Sequence, residues 1–551
     1  MSVVKLPVMN PLSTRHWRQD LRGGFRAAAV ALPLGLAFGV VSGAGPVAGL
    51  YCAICTGFFA ALFGGTPTQI AGPTGPMAIV MASVFLQFAD QPAAAVGVVM
   101  LAGIVQMLFG AMRLGRYISL IPYPVISGFG SGVGCIIIIM QLNPLLGQPS
   151  VSDTVTAVQV LPGSLGNANL IAVVVAAASM SACYLIPTRI RALLPAELIV
   201  LVLGSLAVAV AGLGIPMLDA PSSLLPTFVL PSPAELPWRE MWVAATVLAL
   251  ISSLDSLLTS MAADSATQEF HDSDRELLGQ GIGNVIAGIF GAIPGAGATS
   301  RTMANISAGG VSPLSGVVHS LLLLALLLGA GGLIQYIPAA LLSGILLYIG
   351  IRIIDWGYIQ RFPYAPRGGV LIMVIVWLLA VFVSVVTAVA VGVIMASLAL
   401  VKRMADLQLE SVELSSEGDS TFRLSDEEKQ EFERCDDRVL LIHLGGPMTF
   451  GAANGLTRRL ANIAEHRIVI LDFADVPHID DSAAMAFESV IRRARENDQL
   501  VILVGLRQQV VRAFIRFGMV SLIKSCLRFR RRLNALHYSA TVISEAEADE
   551  A

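Results

Sequence analysis

Long apolar runs, broken by short polar loops, fill the first 400 residues of the 551-residue chain. A bilayer-crossing helix needs about 20 apolar residues, and a half-helix fewer. Candidate spans fall near 24–41, 47–63, 95–112, 121–142, 170–186, 196–213 and 242–262. Others fall near 277–292, 313–328, 336–353, 369–386 and 388–401. Two further segments, 74–88 and 299–308, are short and follow glycine- and proline-rich stretches, "AGPTGP" and "IPGAGA". The total is 14 segments, dividing as seven plus seven, and the broken ones are the third and the tenth. Interrupted segments at matching positions of two halves are the sequence mark of a transporter's binding site.

The pattern changes after Lys402. An acidic stretch over 410–437 predicts a linker. "RVLLIHL", "RIVILDF" and "QLVILVG" are short Val/Ile-rich runs that predict strands. Amphipathic helices are expected between and after them, in "GAANGLTRRLANIA", "DSAAMAFESVIRRAREN" and "QQVVRAFIRFGM". Strands alternating with helices predict a small α/β domain. The boundaries expected are a lead at 1–23, a membrane domain at 24–403, a linker at 404–437 and the α/β domain at 438–545.

Composition sharpens this division. Charged residues make up 13% of the chain, against roughly 25% in soluble proteins. Residues 1–400 hold 15 Lys+Arg and 14 Asp+Glu, and the last 151 hold 20 and 24. That excludes a single soluble domain, a disordered chain and a disulfide scaffold. A net charge of −3 gives no sign of nucleic-acid binding. Arginines cluster in alternate loops, at Arg113 and Arg116, Arg189 and Arg191, Arg275, and Arg352, Arg361 and Arg367. The positive-inside rule then puts both the N-terminus and the tail in the cytoplasm of a bacterial inner membrane. "RFRRR" at 528–532 predicts a solvated face, with lipid headgroups as the minor option.

Charges inside spans are costly and mark function by default. Asp255 is the one carboxylate central to a span, and Thr259 shares its helical face. With nearby Ser252 and Ser256, this oxygen-rich face suits a hard monovalent cation such as Na⁺. Arg301 lies in the first turn of the tenth segment, after Gly295, Gly297 and Ala298, with Thr299 and Ser300 opening the helix. Gly72, Thr74, Gly75 and Pro76 open the third segment in the same way. Free N–H groups at two helix starts make an anion site. Arg301 either touches that anion or balances Asp255. His319 is expected to be a helix-bonded histidine, against a proton relay, Glu197 a wet residue at a helix start, and the glycines at 128, 130, 132 and 134 close-packing positions. No zinc spacing, catalytic triad signature or Walker loop is present, so neither an enzyme nor an ATP-driven pump is expected.

"PVAGLY", "GPTGP", "ELLGQGIGNVIAGIFGAIPGAGATSRT" and "SGVVHS" together resemble the sulfate permease family of anion transporters, over nearly the whole chain. The tail is similar to that family's STAS domain. Stretches such as "ALPLGLAFGVVSGAG" and "DSLLTS" look closest to the family's cyanobacterial sodium-dependent bicarbonate carriers. The resemblance implies a homodimer with core and gate domains built from inverted seven-helix repeats, working by an elevator-like movement. It implies Na⁺ held by Asp255, Thr259, Gly297, Ala298 and Thr299. It implies an anion held by Thr74, Gly75, Pro76 and the start of the tenth helix, Ala298 to Arg301. Bicarbonate is the expected anion, with sulfate or a C4-dicarboxylate as alternatives, coupled to protons or by exchange. An anion-sensing receptor is a more distant alternative. Ser482 matches the phosphorylated position of related spore-regulator STAS proteins, against a plain helix cap at Asp481 or Ser482.

Overall fold

The computed structural model describes residues 9–10, 15–118, 122–151, 153–191, 194–219, 223–225, 228, 236–410, 412–415, 424–435, 438–449 and 466–550. Two compact units divide near position 394. In the first, helices stand where the apolar runs predict them. They are α1 (Trp17–Val41), α2 (Pro46–Phe63), α3 (Gly75–Gln87), α4 (Pro92–Ala111), α5 (Tyr123–Leu145), α6 (Leu170–Leu185) and α7 (Ala196–Ala211). Then follow α8 (Trp238–Thr267), α9 (Ser273–Ile289), α10 (Thr299–Ser307), α11 (Pro313–Ala330), α12 (Ala339–Ile353), α13 (Arg367–Phe382) and α14 (Val385–Glu410), whose residues after 394 belong to the second unit. Among the described residues, seven helices are long and apolar enough to cross a membrane, and five shorter ones are apolar. Prolines in the first turns of α2, α4 and α11 start these helices where an N–H would lack a partner anyway.

The two broken segments share one device. Strands β1 (Ala71–Gly72) and β2 (Ala296–Gly297) pair antiparallel, with Ala71 opposite Gly297 and Gly72 opposite Ala296. Each strand runs within two residues into a helix, β1 into α3 and β2 into α10. Because the strands are antiparallel, the helices leave the ribbon in opposite directions and their N-termini converge on it. Proline and glycine at these points delay the starts of the helices, and the ribbon gives the backbone groups before them partners.

The glycine run on α5 divides by face. A Cβ at Gly128 would lie 2.6 Å from the Met373 carbonyl, at Gly132 2.6 Å from the Ala380 Cβ, and at Gly134 2.6 Å from the Gly350 carbonyl. These three are contact points with α13 and α12. Gly130 meets nothing within 4 Å. Two buried carboxylates also hold the unit together. Asp20 in α1 accepts from Val311 N, Ser312 N and Ser312 Oγ at 2.7–2.9 Å, fixing the start of α11. Glu276 in α9 accepts from Gly65 N, Thr66 N, Gln69 Nε2 and Gln280 Nε2 at 2.7–2.9 Å. Burial of a charge is tolerable only with such a full set of donors.

The second unit is a five-stranded sheet in the order β3 (Val412–Ser415), β4 (Val439–Gly445), β5 (Ile468–Asp475), β6 (Leu500–Val504), β7 (Leu527–Phe529). Strands β4 to β7 are parallel and β3 is antiparallel. Leu440, Ile442 and Leu444 pack with α15 (Asp481–Glu496) and α16 (Gln508–Arg516) on one face. Val439 and Leu441 pack on the other face with Phe432 and with Leu536 of α17 (Arg532–Glu550). Burial on both faces explains why these strands are uniformly apolar rather than alternating. The stretch expected to be a linker holds the end of α14, strand β3 and a capped helix over Asp426–Glu433. The helix predicted in "GAANGLTRRLANIA" lies outside the described residues. The helix cap expected at Asp481 or Ser482 falls instead on Asp480, whose carboxylate accepts from Ala483 N at 2.8 Å. Ser482 is exposed in the first turn of α15.

Candidate functional site: an ion cavity at the β1–β2 ribbon

Helix α8 grips the approach to α10 one turn at a time. Ser252 Oγ donates to the Gly295 carbonyl at 2.8 Å, and Gly297 N donates to Ser256 Oγ at 3.0 Å. Thr259 Oγ1 donates to the Gly297 carbonyl at 3.1 Å and shares a 2.8 Å hydrogen bond with the Thr299 hydroxyl. The 3.6-residue repeat of α8 therefore matches the rise of an extended strand beside it. Behind β2, Asn284 brackets Gly295, donating to its carbonyl at 3.1 Å and accepting from its N–H at 2.8 Å. Gln106 joins Asn284 and Ser252 at 2.9 and 3.0 Å. Gln69 bridges Glu276 and Ser260 at 2.7 and 2.9 Å. The bonds to Gly295 and Gly297 fix backbone next to the ribbon, and the side-chain bonds hold their partners in place.

A cavity of about 590 Å³ opens beside it. One wall carries Pro73, Thr74, Gly75 and Pro76 at the start of α3, Asp255 on α8, and Gly297 to Arg301 at the start of α10. The opposite wall comes from α5, α7, α12 and α14, with Val125, Phe129, Gly130, Glu197, Tyr348, Arg352 and Val389 among its residues. All the predicted anion residues and four of the five predicted cation residues thus line one space. Thr259 does not line it. It is fully buried and reaches the lining through Gly297 and Thr299.

Arg301 is 1% exposed, and its guanidinium donates to the Pro73 carbonyl. Nε and Nη1 have no hydrogen-bond partner. The side chain thus ties the start of α10 to the strand-to-helix turn before α3, and it does not hydrogen-bond Asp255. Gly72 is required for this, because a Cβ there would collide with Arg301 Nη1. The Thr74 hydroxyl lies beside Asp255 and makes no hydrogen bond of normal geometry. His319 is fully buried and neither ring nitrogen has a partner, so the hydrogen bond expected within its helix is not made. The polar network of Gln69, Gln106, Glu276 and Asn284, and the cavity positions of Glu197 and Arg352, were not expected from sequence. Their available signal was polarity inside or at the ends of apolar runs, including "GQGIGN", which has no nucleotide role.

Paired half-helix starts, a carboxylate and a cluster of hydroxyls and carbonyls around one cavity define a membrane transporter for a small anion. The chain matches the sulfate permease family over residues 17–376 and the STAS domain over 433–534. It therefore belongs to the sulfate permease family. It is 40% identical to the bicarbonate transporter BicA of Picosynechococcus over 92% of both chains. It is 39% identical to BicA of Synechocystis over 99% of this chain and 98% of that one. The solved transmembrane domain of a cyanobacterial BicA superposes with a TM-score of 0.65 at 41% identity, covering 71% of this chain and all of that one. These relatives are transporters, not enzymes.

Proposed function

We propose that the protein takes up bicarbonate driven by a Na⁺ gradient. The observation that carries this is the one cavity lined by Asp255, Gly297, Thr299 and the starts of α3 and α10, with Thr259 bonded behind Gly297 and Thr299. Na⁺ suits the cluster because hard cations take carboxylate, hydroxyl and carbonyl oxygens. Asp255, Thr259, Gly297, Ala298 and Thr299 supply them. The anion suits the N–H groups at Thr74, Gly75 and Ala298 to Arg301, where both helix dipoles present their positive ends. Identity to two bicarbonate transporters along nearly the whole chain favours bicarbonate over sulfate or a dicarboxylate.

Helices α1 to α7 and α8 to α14 act as two inverted seven-segment repeats, with 14 crossings, in an inner membrane. The wall bearing α3, α8 and α10 moves as an elevator-like core past the wall bearing α5, α7, α12 and α14. The protein works as a homodimer, and the STAS domain is cytoplasmic. Uptake of labelled bicarbonate, sulfate and fumarate into proteoliposomes, with and without an inward Na⁺ gradient, tests the reading. Bicarbonate uptake that needs the gradient is expected. Gradient-independent uptake, or anion binding without flux, would overturn it.

A further inference from the structure

Four charged side chains line the cavity among the described residues, two of each sign. Asp255 and Arg301 stand on the wall of the ribbon. Glu197 and Arg352 stand on the other wall, in the first turn of α7 and the last turn of α12. The two arginines differ in kind. Arg301 is buried and tied to backbone, whereas Arg352 is exposed to the cavity. Arg352 is also held in place. Its Nη1 donates to the Tyr348 hydroxyl, one turn earlier on α12, at 2.8 Å. Its guanidinium carbon sits 5.4 Å from the centroid of the Tyr348 ring. Tyr348 is 2% exposed and packs edge-on against Tyr184 at 4.8 Å. The fork is therefore preorganised, and its remaining N–H donors are free to face the cavity.

We infer that Arg352 is a second anion-holding position, on the wall opposite the helix starts, and that Glu197 sets its strength. The inference rests on the transport reading above. An anion entering an apolar-walled cavity responds strongly to each charge there, since little water screens it. Arg352, on the cytoplasmic side by the distribution of arginines, captures the anion as it leaves Thr74 and Thr299. Glu197 weakens that capture, so the anion passes on rather than staying. Because Arg352 stands on the wall that the proposed core movement leaves behind, its hold has to be weak enough to break. An oxyanion fits the guanidinium best, since it can accept two parallel N–H bonds.

Full-length wild type and the variants Arg352→Gln, Arg352→Lys and Glu197→Gln, each checked by size-exclusion profile, are reconstituted in proteoliposomes. Initial Na⁺-driven bicarbonate flux entering from the protein's cytoplasmic face, in proteoliposomes of selected orientation, is followed against bicarbonate concentration at low and high ionic strength. Arg352→Gln is expected to raise the anion KM roughly five- to tenfold and to flatten its dependence on ionic strength. Turnover and the Na⁺ half-saturation stay within about twofold, because the primary sites are intact. Arg352→Lys retains the ionic-strength dependence, and Glu197→Gln lowers the KM. An Arg352→Gln protein with wild-type KM and salt dependence overturns the inference and leaves the transport reading standing. If that variant fails to fold, an unchanged KM in Glu197→Gln overturns it instead. A wild type without Na⁺-driven flux overturns the transport reading, and this inference with it.

Discussion

At the scale of single residues, Asp255 is where the proposed cation and anion sites meet. In the proposed function, Na⁺ in a poorly solvated site needs a countercharge to offset its lost hydration. Bound Na⁺ also cancels the repulsion between Asp255 and an anion at the helix starts, a favourable coupling of about 1–3 kcal/mol. Asp255→Asn keeps the shape and removes the charge. Na⁺-stimulated uptake should fall to background while the protein elutes normally on size exclusion. Normal Na⁺ dependence in this variant would move the cation site elsewhere. Thr74→Leu tests the anion side, since Thr74 stands at the N-cap of α3 and lines the cavity, its hydroxyl making no cap bond. Bicarbonate-dependent uptake should be lost in proteoliposomes. Asp255, Thr74 and Arg301 were legible because a charge or a break within an apolar run is conspicuous. Glu197 and Arg352 were not, because at the ends of runs they look like ordinary loop charges. Only tertiary packing turns those ends toward the cavity.

Among elements, the same contrast appears in the glycines of α5. Sequence spacing marks the run as a packing surface, and Gly128, Gly132 and Gly134 do pack on backbone or side chains of α12 and α13. Gly130, with open space, lines the cavity instead. Gly134→Ala should therefore destabilise the folded protein by about 1–3 kcal/mol, as overpacked contacts do. Gly130→Ala should leave the thermal transition of detergent-solubilised protein unchanged. The reverse ranking would mean that α5 faces the other way. The existence of the helices was legible from apolar runs, and their ends from proline and glycine. The ribbon was not. Two-residue strands carry no periodicity, and the pairing of Ala71 with Gly297 spans more than two hundred residues.

In the STAS domain, a histidine at the carboxyl ends of the strands couples stability to pH. His443 on β4 shares hydrogen bonds with Asp472 at 3.1 Å, and its other ring nitrogen lies 3.4 Å from Asp475. Arg532 at the start of α17 also reaches Asp472, at 3.4 Å, while ion-pairing with Glu428 at 3.0 Å. The hydrogen bond to Asp472 raises the His443 pKa, ahead of the opposing effects of burial and Arg532. A raised folded-state pKa means that this stabilisation is complete below the unfolded value near 6.5 and is lost as pH rises through the folded value. Amide exchange in β4 and β5 of the full-length protein, corrected for its intrinsic pH dependence, should therefore gain in opening frequency above about pH 6.5. His443→Gln should flatten that profile. An equal gain in the variant would assign the pH response to another group.

For the whole molecule, the question is which part of the chain transport needs. Every ligand proposed for the primary cation and anion sites lies before residue 302, and the cavity, Arg352 included, is lined by residues no later than Val389. The compact membrane unit likewise ends near position 394. A protein ending at Glu410 should thus retain Na⁺-driven uptake per mole, measured in proteoliposomes, even if dimer yield falls. The position of the cut matters. Composition alone suggests cutting within the acidic stretch, but β3 at Val412–Ser415 pairs with β4 and belongs to the sheet. A chain ending at Leu424 would keep β3 without its partner, leaving an unpaired strand edge that invites association between chains. That longer truncation should aggregate more on size exclusion than the shorter one. If both truncations are monodisperse and both fail to transport, the STAS domain is part of the transport cycle itself, and the cavity is only one part of the machine.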